Sequence, residues 1–213
     1  MNYWDELMGT DEGAANYMET YGEGPGCETR HIVGSFINDG ETVLDVGCGP
    51  GWNLDHFIQY GPKISEYKGL DYSERFVRVA NERWERRSEE GLNPGDGIPF
   101  YLGDCRKLMQ PDNFYDVVIL QDVLEYTNGY EKPIQEALRV ASKRVIICIW
   151  RNLTVEPDKT NDDGNDGYGS DYQESKFLKF LDDLGYHWME TETSPAANRW
   201  HRYFIIDKEE QHG

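Results

Sequence analysis

A doubly wound α/β fold on a mainly parallel sheet is predicted by three observations. Short β-branched or apolar runs alternate with segments of helical periodicity along most of the chain. The first such run, Thr42 to Val46, passes at once into a glycine cluster and then a helical pattern. The length, 213 residues, suits one large domain with its own core and leaves little room for two ordinary domains and a linker. A single domain over 1–213 is therefore expected.

The elements follow in order. From Glu28 to Asn38, Ile32, Val33, Phe36 and Ile37 recur at helical spacing until Asp39-Gly40 breaks the pattern. Residues 1–40 thus form an N-terminal cap segment with a leading helix. After the strand Thr42 to Val46, Leu54, Phe57 and Ile58 share one face of a helix running from Trp52 to Tyr60. A strand near Tyr67 to Asp71 leads to a helix from Ser73 to Glu89, whose start Ser73 is suited to cap. Gly91, Asn93-Pro94-Gly95 and Gly97 make a loop before a strand at Pro99 to Leu102. Then come a strand Tyr115 to Leu120, a helix Tyr130 to Ser142 and a strand Arg144 to Trp150. The stretch 152–171, rich in Asp, Gly and Asn, is too polar to fold alone and is expected to be a mobile loop, placed to serve as a lid. Asp171 to Leu184 returns to helical spacing, and strands near Tyr186 to Glu192 and Arg199 to Ile206 close the chain as a β-hairpin.

Composition narrows the function. With 21 Lys and Arg against 40 Asp and Glu, the formal charge is −19, which repels phosphate backbones and anionic lipid and so disfavours nucleic acid and membrane partners. The same excess suits a cationic partner, a salt-adapted protein or a solvated surface. Cys27, Cys48, Cys105 and Cys148 are isolated in sequence, without a CxxC pair or clustered His, so no metal site and no disulfide framework is expected, and a reducing cytoplasm fits best. The opening residues are acidic and aromatic, and no apolar run approaches the ~18 residues of a membrane span.

The chemistry is concentrated at Val43-Leu44-Asp45-Val46-Gly47-Cys48-Gly49-Pro50-Gly51. Glycines at alternate positions let the backbone turn sharply and let a ligand approach without meeting Cβ atoms. The helix from Trp52 then presents its free N–H groups to that ligand. A dinucleotide fingerprint of the GxGxxG type needs a small residue where Trp52 stands, which disfavours an NAD-dependent oxidoreductase. About 20 residues on, Asp71 ends the second strand, where its carboxylate is able to accept both hydroxyls of a ribose, or to serve as a helix cap.

The segment resembles the first motif of class I S-adenosylmethionine-dependent methyltransferases, with Asp45 two positions before the GxGxG turn. The resemblance covers about residues 28 to 150 by motif and the last two strands by topology. It implies a Rossmann-like, seven-stranded, mostly parallel sheet with an antiparallel last strand and helices on both faces. It also implies S-adenosylmethionine as cofactor, held by Asp45, Gly47, Gly49 and Gly51, with Asp71 on the ribose and Tyr72 against the adenine face. Asp104 would take the adenine amine, the Cys105 backbone N–H a ring nitrogen, and Gln121 the methionine part. Tyr21 and Arg30 are candidates to cover the cofactor carboxylate, with packing or exposure as the alternative. Many relatives carry His where Tyr126 stands, so no base is carried over to that position.

Ligands of open parallel sheets lie outside the carboxyl ends of the strands. That places Asp122, Glu125, Trp150, Arg151 and His201 beside the methyl acceptor as substrate-side candidates. His201 suits a proton acceptor or a structural place beside Trp200, and Asp122 an amine contact or a helix cap. No catalytic residue is assigned. The Asn-Pro-Pro-Tyr type of segment that serves base and glutamine methylation in other branches is absent after strand four. The expected activity is methyl transfer to an oxygen or nitrogen of a small molecule by a monomer or homodimer; a non-catalytic S-adenosylmethionine sensor or partner subunit is the alternative.

Overall fold

The structure, a computed structural model, describes residues 27–89, 99–150, 153–162, 168–193 and 201–211. In chain order these form α1 (Glu28–Ser35), β1 (Thr42–Val46), α2 (Trp52–Gln59), β2 (Glu66–Asp71), α3 (Glu74–Glu89), β3 (Phe100–Leu102) and β4 (Tyr115–Gln121). A single 3₁₀ turn (Leu124–Tyr126), α4 (Glu131–Val140), β5 (Ala141–Trp150), β6 (Leu153–Thr154), β7 (Lys159–Asp162) and β8 (Tyr168–Gln173) follow, and then α5 (Glu174–Asp183), β9 (Tyr186–Glu192) and β10 (His201–Gln211).

Seven strands make the main sheet in the order β3-β2-β1-β4-β5-β10-β9. β3, β2, β1, β4 and β5 pair in parallel, while β10 lies antiparallel between β5 and β9. The sheet is the expected seven-stranded, Rossmann-like one with an antiparallel closing strand. Strand order reverses between β1 and β4, the place where such sheets open a crevice at the carboxyl ends of the strands.

The period-2 alternation of the strands divides the core in two. Leu44 and Val46, Val118 and Leu120, Val145, Ile147 and Ile149 face one side, against Ile134 and Ala137 of α4 and Phe177 and Leu181 of α5. Val43, Val117, Ile119, Ile146 and Cys148 face the other, against Val33 of α1, Leu54 and Phe57 of α2, and Ala80 and Trp84 of α3. Near-continuous apolar strands are what burial on both faces demands. β10 obeys the same rule, with Phe204 and Ile206 on the first face and Tyr203 and Ile205 on the second.

Several boundaries move. Ser73 caps α3 as its position suggests, its Oγ accepting from the Phe76 N–H at 3.2 Å. The helix read as reaching Ser142 ends at Val140, because Ala141 already pairs with Tyr115 at the start of β5. The 152–171 stretch is not a bare loop: β7 pairs antiparallel with β8, and β6 in parallel with it. The reason lies at its far end. Ser170 Oγ donates to the Thr127 carbonyl at 2.7 Å, and the buried Tyr172 hydroxyl donates to those of Leu124 and Thr127 at 2.7 and 2.9 Å. These bonds anchor a strand whose acidic neighbours concealed its alternation, and α5 consequently begins at Glu174 rather than Asp171. The four cysteines are free, and among the described residues no helix is long and apolar enough to cross a membrane.

Candidate functional site

The glycine turn joins β1 to α2 at the sheet's crevice. Gly47, Gly49 and Gly51 have φ of 74, 51 and 83°, the left-handed region that costs a side chain strain. The Gly47 and Cys48 N–H groups donate to the Leu70 carbonyl at 2.7 and 3.0 Å, which locks the turn onto β2. A Cβ at Gly47 would overlap the Val123 Cγ2 methyl, and one at Gly51 would come 2.5 Å from the Phe100 ring. At Gly49 it would meet nothing within 4 Å. Gly47 and Gly51 are thus demanded by packing, whereas Gly49 borders open space.

Asp45 lies beneath the turn rather than in the crevice. It is 1% exposed, and one carboxylate oxygen accepts from Tyr67 Oη at 2.6 Å and Asn53 Nδ2 at 3.1 Å. Burial pushes its carboxyl up to about 6, against the lowering effect of those two donors and of the Arg30 charge. It therefore ties β1, β2 and α2 together from below the turn. The native state binds this proton more tightly than the unfolded chain, so the stabilisation is complete below pH 3.8 and is lost as pH rises through about 6. Asp45→Asn should track this. Its stability relative to the parent, read from urea unfolding, is expected to improve by roughly 3 kcal/mol between acid and neutral pH. A pH-independent difference would contradict this assignment.

One half of the crevice is built at the ends of β2 and β3. Asp71 Oδ2 accepts from the Gly49 N–H and Oδ1 from the Ser73 N–H, both at 2.9 Å, so the carboxylate is fixed between turn and helix. Tyr72, next along, is 40% exposed. Asp104 is gripped by Arg106, with Nε–Oδ1 and Nη2–Oδ2 both 2.9 Å. Burial opposes the Asp104 charge, but the Arg106 hydrogen bonds outweigh it and hold the carboxyl below its usual range. Arg106 was not anticipated, although an Arg two residues after an Asp at a strand end is a readable signal. Cys105 is half-buried, its thiol pushed up to about 12 mainly by burial.

The other half gathers at the carboxyl ends of β4 and β5 and the start of β10. The Gln121 Oε1 atom is buried and accepts no hydrogen bond. Asp122 sits at φ 54°, a left-handed turn that Asp tolerates, and caps no helix. Glu125 is 4% exposed, with Oε1 accepting from the Trp150 backbone N–H. Burial first, and the Asp122 charge second, push its carboxyl up to about 8. Trp150 stacks on His201 with ring centroids 6.4 Å apart, and His201 is 3% exposed with Nε2 3.4 Å from Asp122 Oδ1. Asp122, Glu125, Trp150 and His201 are thus brought together as expected. Cys148, which the sequence did not single out, joins them with Sγ 3.7 Å from Asp122 Oδ1.

Arg30 is 6% exposed, its guanidinium lying over the Trp52 ring at 5.3 Å beside the turn. Tyr21 and Arg151 lie outside the described residues.

Residues 44–149 match the family model described as Methyltransferase domain. The chain is 28% identical over 122 residues to an uncharacterised methyltransferase of Schizosaccharomyces pombe, covering 57% of this chain and 43% of that protein. It is 29% identical over 132 residues to norajmaline N-methyltransferase of Rauvolfia serpentina, covering 58% and 41%. It spans less than half the length of these two relatives. Among solved structures it resembles magnesium protoporphyrin IX methyltransferase of Synechocystis with bound SAH, at a TM-score of 0.66 and 22% identity, covering 92% of this chain and 94% of that one.

Proposed function

Because the chain belongs to the class I S-adenosylmethionine-dependent methyltransferases, we propose that it binds S-adenosylmethionine across the crevice and transfers its methyl to an oxygen or nitrogen of a small molecule. The observation that carries this reading is the turn itself. Gly49 leaves open space above a left-handed backbone, and the same Gly49 N–H is tied to the Asp71 carboxylate that would take the ribose.

The residues present fit that group. Asp71 offers a carboxylate fixed in place toward a diol, Tyr72 an exposed ring for a flat base, and Gln121 a buried oxygen still lacking a donor. On this reading Asp104, ordered by Arg106, is the acceptor for an exocyclic amine. The bound cofactor supplies an electrophilic methyl on a sulfonium sulfur. The protein's share is position and dryness: a pre-formed turn and a buried set of groups at the ends of β4, β5 and β10 orient the acceptor and exclude water. Burial and the neighbouring Asp122 charge push the Glu125 carboxyl up, favouring its neutral form where it holds its Trp150 contact.

A small acceptor is supported by the charge of −19, which opposes a nucleic-acid substrate, and by the likeness to norajmaline N-methyltransferase. Calorimetric titration with S-adenosylmethionine, S-adenosylhomocysteine and NAD, followed by transfer of radiolabelled methyl to a metabolite panel, tests the proposal. Binding of the two sulfur compounds and label in at least one acceptor is the expected result. NAD binding without them would overturn the cofactor, and binding without any transfer would favour a sensor.

A further inference from the structure

Three side chains from three different strand ends converge beside the acceptor half of the crevice: Asp122 just past β4, Cys148 in β5 and His201 at the start of β10. One ligand-type atom from each, a carboxylate oxygen, a thiol sulfur and an imidazole nitrogen, lies within 4.8 Å of the other two. We propose that these residues form a binding site for one zinc-class divalent cation.

The spacing carries the proposal. Asp122 Oδ1 is 3.4 Å from His201 Nε2 and 3.7 Å from Cys148 Sγ. The first distance is long for a carboxylate to an imidazole nitrogen, where charge-assisted bonds close to about 2.8 Å. It matches the edge of a tetrahedron around an ion with ligand bonds of roughly 2.0 to 2.3 Å, as zinc makes. Shifts of less than about 1 Å would bring Cys148 and His201 onto the same centre.

Two of the three donors are enclosed, His201 at 3% exposed and Cys148 fully buried, so an ion held between them would be only weakly screened by water.

The donor set selects the metal. Thiolate and imidazole suit zinc and its analogue cobalt, whereas magnesium and calcium favour oxygen throughout. Three protein ligands leave a fourth position, as in zinc sites that receive water or substrate. Asp122, 39% exposed at its side chain, gives that position its outlet to the crevice.

The test uses the full chain, first dialysed against a chelator and then titrated with Co²⁺ while its absorption spectrum is followed. Expected are one ion per chain, visible bands of tetrahedral intensity and a near-ultraviolet thiolate-to-cobalt charge-transfer band, all removed by added Zn²⁺ and not by Mg²⁺. Cys148→Ser should abolish the charge-transfer band, and His201→Gln should weaken binding about 100-fold, with circular dichroism reporting that both variants fold. The charge-transfer band is decisive because an acidic surface collects cations without any thiolate. A band that survives Cys148→Ser, or no stoichiometric binding below millimolar Co²⁺, overturns the site. S-adenosylmethionine binding measured on the same sample keeps the two readings apart: cofactor binding without cobalt binding rejects the metal site alone.

Discussion

Asp71→Ala is expected to weaken S-adenosylhomocysteine binding by about 100-fold or more. Two hydrogen bonds to a charged acceptor, each contributing roughly 1.5–3 kcal/mol, would be lost at once, and every 1.4 kcal/mol is a factor of ten. The Gly49 and Ser73 N–H groups would also lose their acceptor, so the turn should loosen and the unfolding midpoint fall. Asp71→Asn separates the effects. It keeps the size and one acceptor oxygen, so it should hold the fold better while still losing most of the affinity. Calorimetry on both variants, with thermal unfolding alongside, checks this; an Asp71→Ala protein that folds and binds as tightly as the parent removes Asp71 from the site.

The second large effect is at the glycines, where two neighbouring substitutions should fail in opposite ways. Gly47→Ala places a methyl into Val123 at a φ of 74°. Left-handed strain of about 1 kcal/mol and overpacking of about 1–3 kcal/mol should together remove roughly 3 kcal/mol of stability. Val123→Ala in the same chain should restore part of it, since it clears the overlap but not the strain. Gly49→Ala meets no neighbour, so its cost in folding should stay near the strain alone, and its damage should appear as lost cofactor binding. Urea unfolding and calorimetry on the four proteins resolve the pattern. Equal loss of stability at both glycines would contradict the division between packing and ligand faces.

What the sequence made legible was local or periodic. The strand, turn and helix around Gly47 to Gly51, the acid at the end of β2 and the alternation of apolar strands all lie within a few residues of their causes. What it concealed depends on distant partners. That Asp45 is held by Tyr67 and Asn53 depends on residues 22 and 8 positions away and shows in no local pattern. The β7–β8 pairing was hidden by acidic composition, because Ser170 and Tyr172 find their acceptors at Leu124 and Thr127. Cys148 looked inert as an isolated cysteine, and only the antiparallel pairing of β5 with β10 brings His201 near it.

That pairing divides the molecule's inheritance. Under the proposed function, the groups for the nucleoside lie on β1, β2, β3 and the turns that follow them, whereas the far side of the crevice needs β10, which enters the sheet from a remote part of the chain. Sequence drift in 186–211 is then expected to reshape what the protein accepts while leaving intact what it carries. Exchanging this strand pair between related proteins would be the direct way to move acceptor preference from one to another.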